Sequence, residues 1–203
     1  MSCASATRGL FAGGFVSGGT NFSSIDYVTI ATTGNGTNFG NLTLAYSQGA
    51  GCSSPTRGIF GGGETNTVRT NVISYVTIAS TGDATSFGIL TSLRSNLASC
   101  SNSTRGVFAG GLTAITNVIE YITIASTGNA TDFGDLTATT SYLSAGSSTT
   151  RGVFGGGRNS GGDPVNTISY ITIDTTGNAT SFGSLTVVRE SLAACSNSSG
   201  GVQ

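Results

Sequence analysis

The apolar residues of this chain fall in short clusters of Ile, Val, Leu, Phe and Tyr, set apart by runs of Gly, Ser, Thr and Asn. The strongest cluster is Asn117 to Ala125, Asn-Val-Ile-Glu-Tyr-Ile-Thr-Ile-Ala. Successive side chains of an extended chain point to opposite faces. Ile119, Tyr121 and Thr123 therefore share one face, and Val118, Glu120, Ile122 and Ile124 the other. Both faces are largely apolar, which predicts a strand in a sheet covered on both sides. Around it, Ser95 to Cys100 (anchored by Leu97), Arg105 to Ala109 and Thr131 to Leu136 (anchored by Phe133 and Leu136) read as shorter strands. Polar turns at Ser101 to Thr104 and Ser126 to Asn129 separate them. Gly110-Gly111 ends the second strand in a sharp turn or a close backbone approach.

The same plan recurs along the chain. Thr104 to Gly111 has counterparts at Thr7 to Gly14, Thr56 to Gly63 and Thr150 to Gly157, and a degraded copy at Ser199 to Gln203. The arginines Arg8, Arg57, Arg105 and Arg151 stand 49, 48 and 46 residues apart, and Gly200 follows after 49 more. Strong strands recur at Ile25 to Ile30, Val72 to Ile78 and Thr167 to Ile173, and Phe-Gly pairs at Phe39, Phe87, Phe133 and Phe182. Such self-similarity marks a repeat architecture, in which each unit is too small to bury its own faces and stacks on its neighbours. The approximate repeats are 7–55, 56–103, 104–149 and 150–198 within a single domain, 1–203.

Four short strands per unit of about 48 residues, without helical periodicity, predict an all-β radial array of four-stranded sheets, a four-bladed β-propeller. The repeat phase predicts its closure. A strand at Arg189 to Ala194 is placed to pair with Thr7 to Ala12 and complete a blade, leaving no open end. The alternative is a linear β-solenoid or fibre segment.

Composition narrows the function. Glycine makes up 32 of 203 residues; there is no His, Trp or Lys, and the net charge is -1. Eight Arg without a dense basic run make a poor nucleic-acid binder. No apolar run reaches the length of a membrane span, and no charged segment precedes an apolar one at the N-terminus. Without His a Ser-His-Asp arrangement is excluded. The carboxylates Asp26, Glu120, Asp132, Asp135, Asp174 and Glu190 are scattered over different repeat positions, so no acid–base pair stands out. The triple glycines at Gly61 and Gly155 lack the Lys-Ser/Thr of a phosphate loop. Zinc would need a Cys-x-x-Cys or His that is absent. The expectation is a non-enzyme without cofactor or metal.

Three sets of residues remain as candidates. Arg8, Arg57, Arg105 and Arg151 precede the inner strand of every unit and read as structural links between units, or as a ring of anion-binding donors. The loops after the double glycines vary most: Phe15 to Ser23, Glu64 to Thr70, Leu112 to Thr116 and Arg158 to Val165. They carry Arg69, Arg158 and Asp163, the candidate recognition residues for a glycan or protein. Cys3 and Cys195 share the repeat phase of Cys52 and Cys100. Ring closure would bring those two together, making them candidates for a disulfide in an oxidising setting. The Asn-x-Ser/Thr triplets, among them those at Asn35, Asn102, Asn129, Asn178 and Asn197, read as turn chemistry.

With these residues in view the chain resembles the kelch repeat family. Arg94, Leu97, then Val107-Phe108-Ala109-Gly110-Gly111 follow the kelch-like order of an Arg, a strand, a turn and an aromatic before Gly-Gly, and Tyr27, Tyr75, Tyr121 and Tyr170 match a later Tyr. Phe39, Phe87, Phe133 and Phe182 stand where the family usually has Trp. In style the Lys-free, Gly/Thr/Asn-rich sequence is similar to kelch-like structural proteins of tailed bacteriophages, notably marine ones. That resemblance implies a structural or decoration component of a virion, at its tail, fibre or capsid surface. Its partners would be other virion proteins and further copies of itself. The second expectation is a receptor- or carbohydrate-binding module for host attachment, reading a host-surface glycan through the variable loops.

Overall fold

The computed structural model describes residues 1–66 and 68–196. Among them are sixteen strands in four sheets. The first sheet holds β1 (Ser2–Ala4), β2 (Arg8–Ala12), β3 (Ser24–Thr29) and β4 (Thr37–Asn41); the second β5 (Ala50–Ser53), β6 (Arg57–Gly61), β7 (Val72–Thr77) and β8 (Thr85–Ile89). The third holds β9 (Ala98–Ser101), β10 (Arg105–Ala109), β11 (Val118–Thr123) and β12 (Thr131–Asp135); the fourth β13 (Ser144–Ser147), β14 (Arg151–Gly155), β15 (Thr167–Thr172) and β16 (Thr180–Ser184). Each sheet is an antiparallel meander with its strands in sequence order.

The pattern of apolar residues explains where the core lies. No sheet has a core of its own. The three buried clusters each draw on two neighbouring sheets, the first on Leu10, Phe39, Phe60 and Val76. The second draws on Ile59, Phe87, Phe108 and Ile122, and the third on Val107, Phe133, Phe154 and Ile171. β7 and β11, apolar on both faces, are covered on both sides, whereas β16 is exposed throughout. The predicted strand Ser95 to Cys100 begins later, at Ala98, because Asn96 sits at φ 54 and turns the chain into the sheet.

The expected ring is absent. A closed propeller required β2 to pair with Arg189 to Ala194. β2 instead pairs with β1, Cys3 opposite Leu10, so the first sheet is completed by its own N-terminal residues. Arg189 to Ser196 stay with the fourth sheet, through Gly157 N–H to Arg189 O at 2.9 Å and Ser147 N–H to Ser196 Oγ at 2.8 Å. The two end sheets keep one face open, with Phe11 57% and Phe182 54% exposed. The chain is therefore an open tandem array of four sheets, the pattern of a linear β-solenoid or fibre, and not a kelch-like propeller. The virion reading was attached to that resemblance and loses its support with it. The degraded fifth motif, Ser199 to Gln203, and the triplet at Asn197 lie outside the described residues.

Candidate interaction surface

Each joint between neighbouring sheets is built from the same parts, and the joint between the second and third sheets shows them. In β8 the register skips Phe87: Ile73 faces Gly88 and Ser74 faces Ser86. The bulge leaves the Phe87 carbonyl without a partner in its own sheet. It accepts instead from Gly128 N–H at 2.8 Å, in the β11–β12 turn of the next sheet. Ala130 N–H donates to Ile89 O at 2.9 Å, and Ile89 N–H to Asn129 Oδ1 at 3.2 Å. A Cβ on Gly88 would strike the Gly128 carbonyl, so glycine there permits the close approach. The outer strands of the first three sheets, otherwise open edges, are thus closed by the turn of the following sheet.

The repeat arginine spans the same joint. Arg57 Nη1 donates to Ile124 O at 2.9 Å, and its guanidinium lies 4.6 Å over the Tyr75 ring. Tyr75 in turn meets Phe87 edge to face at 5.9 Å. Arg8 reaches Ile78 O at 2.8 Å and Arg105 reaches Ile173 O at 3.0 Å, over Tyr27 and Tyr121. Stacking holds the guanidinium plane while its fork satisfies a strand-end carbonyl. On the inner strands, Ser53 Oγ donates to Ala4 O at 2.7 Å, Ser101 Oγ to Ser53 O at 2.7 Å and Ser147 Oγ to Ser101 O at 2.9 Å.

One position differs from joint to joint. Four residues after the anchors Leu42, Leu90, Leu136 and Leu185 stand Tyr46, Arg94, Thr140 and Arg189. The central strands carry Asp26, Ser74, Glu120 and Ser169. The structure pairs these with an offset of one repeat. Tyr46 Oη lies 3.4 Å from Ser74 Oγ, and Arg94 Nη2 lies 2.5 Å from Glu120 Oε1 with both side chains fully buried. Arg94 Nη1 also donates to Gly110 O and Val118 O, each at 3.1 Å, and Glu120 takes Thr91 N–H at 3.0 Å and the Thr91 hydroxyl. Burial lowers the Arg94 pKa from its ordinary value, and the Glu120 carboxylate opposes that shift. Glu120 looked isolated in the sequence because its arginine sits one repeat earlier.

The two ends of the array present the unpartnered halves of this joint. On the first sheet Phe11 and Ile30 are exposed, while their counterparts Phe60, Phe108 and Phe154, and Ile78, Ile124 and Ile173, are buried. On the fourth sheet Phe182 is exposed where Phe39, Phe87 and Phe133 are buried. Arg151 stacks on Tyr170 at 4.5 Å but is exposed, unlike its half-buried counterparts. Beside it lies an open groove of about 680 Å³ lined by Val153, Gly155, Phe182, Leu185 and Arg189, among others.

The candidate recognition residues lie elsewhere, in the post-glycine loops. Arg69 Nε donates to Ser95 Oγ at 3.2 Å and lies 3.7 Å from Glu64 Oε2. Arg158 makes a two-pronged ion pair with Glu190 and lies 5.3 Å from the Tyr142 ring centre. That hydrogen-bonded pairing raises the Arg158 pKa and lowers that of Glu190. Asp163 closes a local turn with Asn159, its N–H donating to Asn159 Oδ1 at 3.0 Å. The loops are pinned to the scaffold by bridges such as Ser47 to Glu64 and Ser141 to Arg158.

All four cysteines are free. Cys3 is buried in the first joint and Cys195 is exposed beside the fourth sheet, so the pairing that ring closure would bring is not present. Cys3, Cys52 and Cys100 fill the joints, their sulfurs packed against Gly58, Gly106 and Gly152 of the next sheet. Burial pushes the Cys3 and Cys100 thiols up to about 12, and that of Cys52 well above its ordinary value. Among the described residues no group of three or more His, Cys, Asp or Glu is placed to hold a metal ion, and no helix is long and apolar enough to cross a membrane.

In comparison with known proteins, no protein family and no curated protein matches the chain.

Proposed function

We propose that the chain is a non-enzymatic structural module that works by being built into a larger protein assembly. The observation that carries this reading is the state of its two ends. Phe11 and Phe182 are 57% and 54% exposed, whereas their counterparts at internal joints are 3% exposed or less. Apolar surfaces of this kind, bordered on the fourth sheet by the open β16 edge, mark an interaction site. The glycan-reading alternative draws less support. Arg69 and Arg158 already face Glu64 and Glu190, which leaves fewer free donors for a sugar.

The virus-particle surface expected from the sequence is one setting in which to test this. The experiment is cross-linking and mass spectrometry on native source material fractionated by size. The chain is expected in a fraction far heavier than its own 20.2 kDa, cross-linked through the first or fourth sheet. Recovery solely as a free chain, with no cross-linked partner, overturns the proposal.

A further inference from the structure

The three internal joints define what a partner for the open ends must look like. A sheet seated on the fourth sheet must bring an apolar ring for the slot over Gly155. It must also bring a glycine turn for the edge strand, a carbonyl for Arg151 and a group to meet Arg189. The first sheet of this chain carries each of them. We infer that a second copy of the chain docks head to tail, its first sheet on the fourth sheet of the copy before it. This rests on the assembly reading and names its partner.

Four correspondences support it. At the second joint Phe108 packs on Gly61, where an added Cβ would lie 2.9 Å from the ring; the equivalent Gly155 meets only Ile168, at 3.7 Å, and leaves the slot open for Phe11 of the second copy. The β16 edge offers the Phe182 and Ser184 carbonyls, as β4, β8 and β12 offer theirs to Gly82, Gly128 and Gly177. The exposed turn around Gly34 holds the corresponding donors, and Asn35 stands where Asp83, Asn129 and Asn178 accept a strand N–H. Arg151 is placed to reach the Ile30 carbonyl, as Arg8, Arg57 and Arg105 reach Ile78, Ile124 and Ile173.

The fourth correspondence is specific to this chain. The pairing that puts Arg94 on Glu120 puts Arg189, in the open groove, on Asp26 of the second copy. Both are exposed, and neither forms an ion pair among the described residues. A foreign apolar partner would need no carboxylate there.

Ala193 to Cys195 stand in the way. They lie exposed, outside any strand, at the place a following sheet's first strand takes, with Cys195 in the phase of Cys3, Cys52 and Cys100. The second copy's β1, held by three paired residues to β2, takes that place, and this segment moves aside.

A contact between two different surfaces has a distinctive test, because each surface can be spoiled separately. Sedimentation of the full chain is expected to show mass rising with concentration above 20.2 kDa. Phe11→Asp and Phe182→Asp, both at exposed positions, each weaken self-association about 100-fold or more. An equimolar mixture of the two variants regains one intact contact and forms a 1:1 dimer. Arg189→Glu weakens association about tenfold, and adding Asp26→Arg in the same chain restores it. Deleting residues 193–203 leaves association as strong or stronger. A monomer at every concentration, a mixture that stays monomeric, or association lost on that deletion overturns the inference. Recovery of such a monomer in a heavy native particle would leave the assembly reading standing and remove only self-docking.

Discussion

Arg94 and Glu120 form an ion pair, 2.5 Å apart and fully buried, that ties the segment leaving the second sheet to the central strand of the third. The first joint holds an uncharged pair, Tyr46 and Ser74, in the same place. The two joints share the repeat arginine stacked on its tyrosine and bonded to a strand-end carbonyl, so the pair at this position can be exchanged between them as a test of a buried charge pair. Desolvation largely cancels the attraction within such a pair, whereas removing one partner strands the other.

Glu120→Ser is therefore expected to destabilise the fold by about 3–5 kcal/mol, since it leaves a buried guanidinium uncompensated. Adding Arg94→Tyr, which recreates the first joint's combination, recovers most of that loss. Urea unfolding of the two variants measures both. A double variant no more stable than Glu120→Ser alone would show that the site is not interchangeable between joints.

Arg57 and Arg151 occupy the same repeat position, but only Arg57 has a following sheet to bond. Arg57→Ala removes a carbonyl partner and a stacked cation, a loss of about 1–3 kcal/mol. Arg151→Ala, at an exposed site, is expected to cost no more than about 0.5 kcal/mol. Equal losses would mean that the arginine acts within its own sheet and not across the joint.

Gly88→Ala places a methyl against the backbone of Gly128, which cannot rotate away. We expect a loss of about 1–3 kcal/mol, typical of overpacking, and faster amide exchange at Gly128 and Ala130, whose N–H groups bond across that joint. Unchanged exchange there would show that the edge strand and turn separate without consequence.

The thiols give a chemical readout of the joints. In the native protein a thiol reagent is expected to label Cys195 quickly and Cys3, Cys52 and Cys100 only on unfolding. The buried thiols also set a pH dependence. Cys3 and Cys100 shift from 9.0 in the unfolded chain to about 12 in the fold. Between those values the unfolded chain binds fewer protons than the folded one, so stability falls as pH rises above about 9. Each group contributes a slope of up to ~1.4 kcal/mol per pH unit. Urea midpoints that stay flat above pH 9 would contradict the burial of these sulfurs.

Much of this molecule was legible in the sequence. The alternation in Asn117 to Ala125 predicted a strand covered on both faces, and β11 is one. The recurrence of Arg57, Tyr75 and Phe87 at matching positions was plain in the sequence, but that they stack on one another in line was seen only in the structure. The first strand at Ser2–Ala4 was missed, although Cys3 shares the phase of Cys52 and Cys100, because that place in the first sheet was expected to be filled by Arg189 to Ala194. The joints' carboxylate partners were not legible, because Glu120 meets an arginine from the preceding repeat and only one of the three joints carries the pair.

The sequence by itself determined the unit, a meander of four short strands whose apolar faces need neighbours, since period-two patterning and turn residues act over a few positions along the chain. Whether the units close on themselves was decided by tertiary structure alone. Closure depends on the rotation from each sheet to the next, set by the contacts of Phe108 on Gly61 and of Gly88 on Gly128. No local pattern encodes that sum. The four sheets end with Phe11 and Phe182 facing outward.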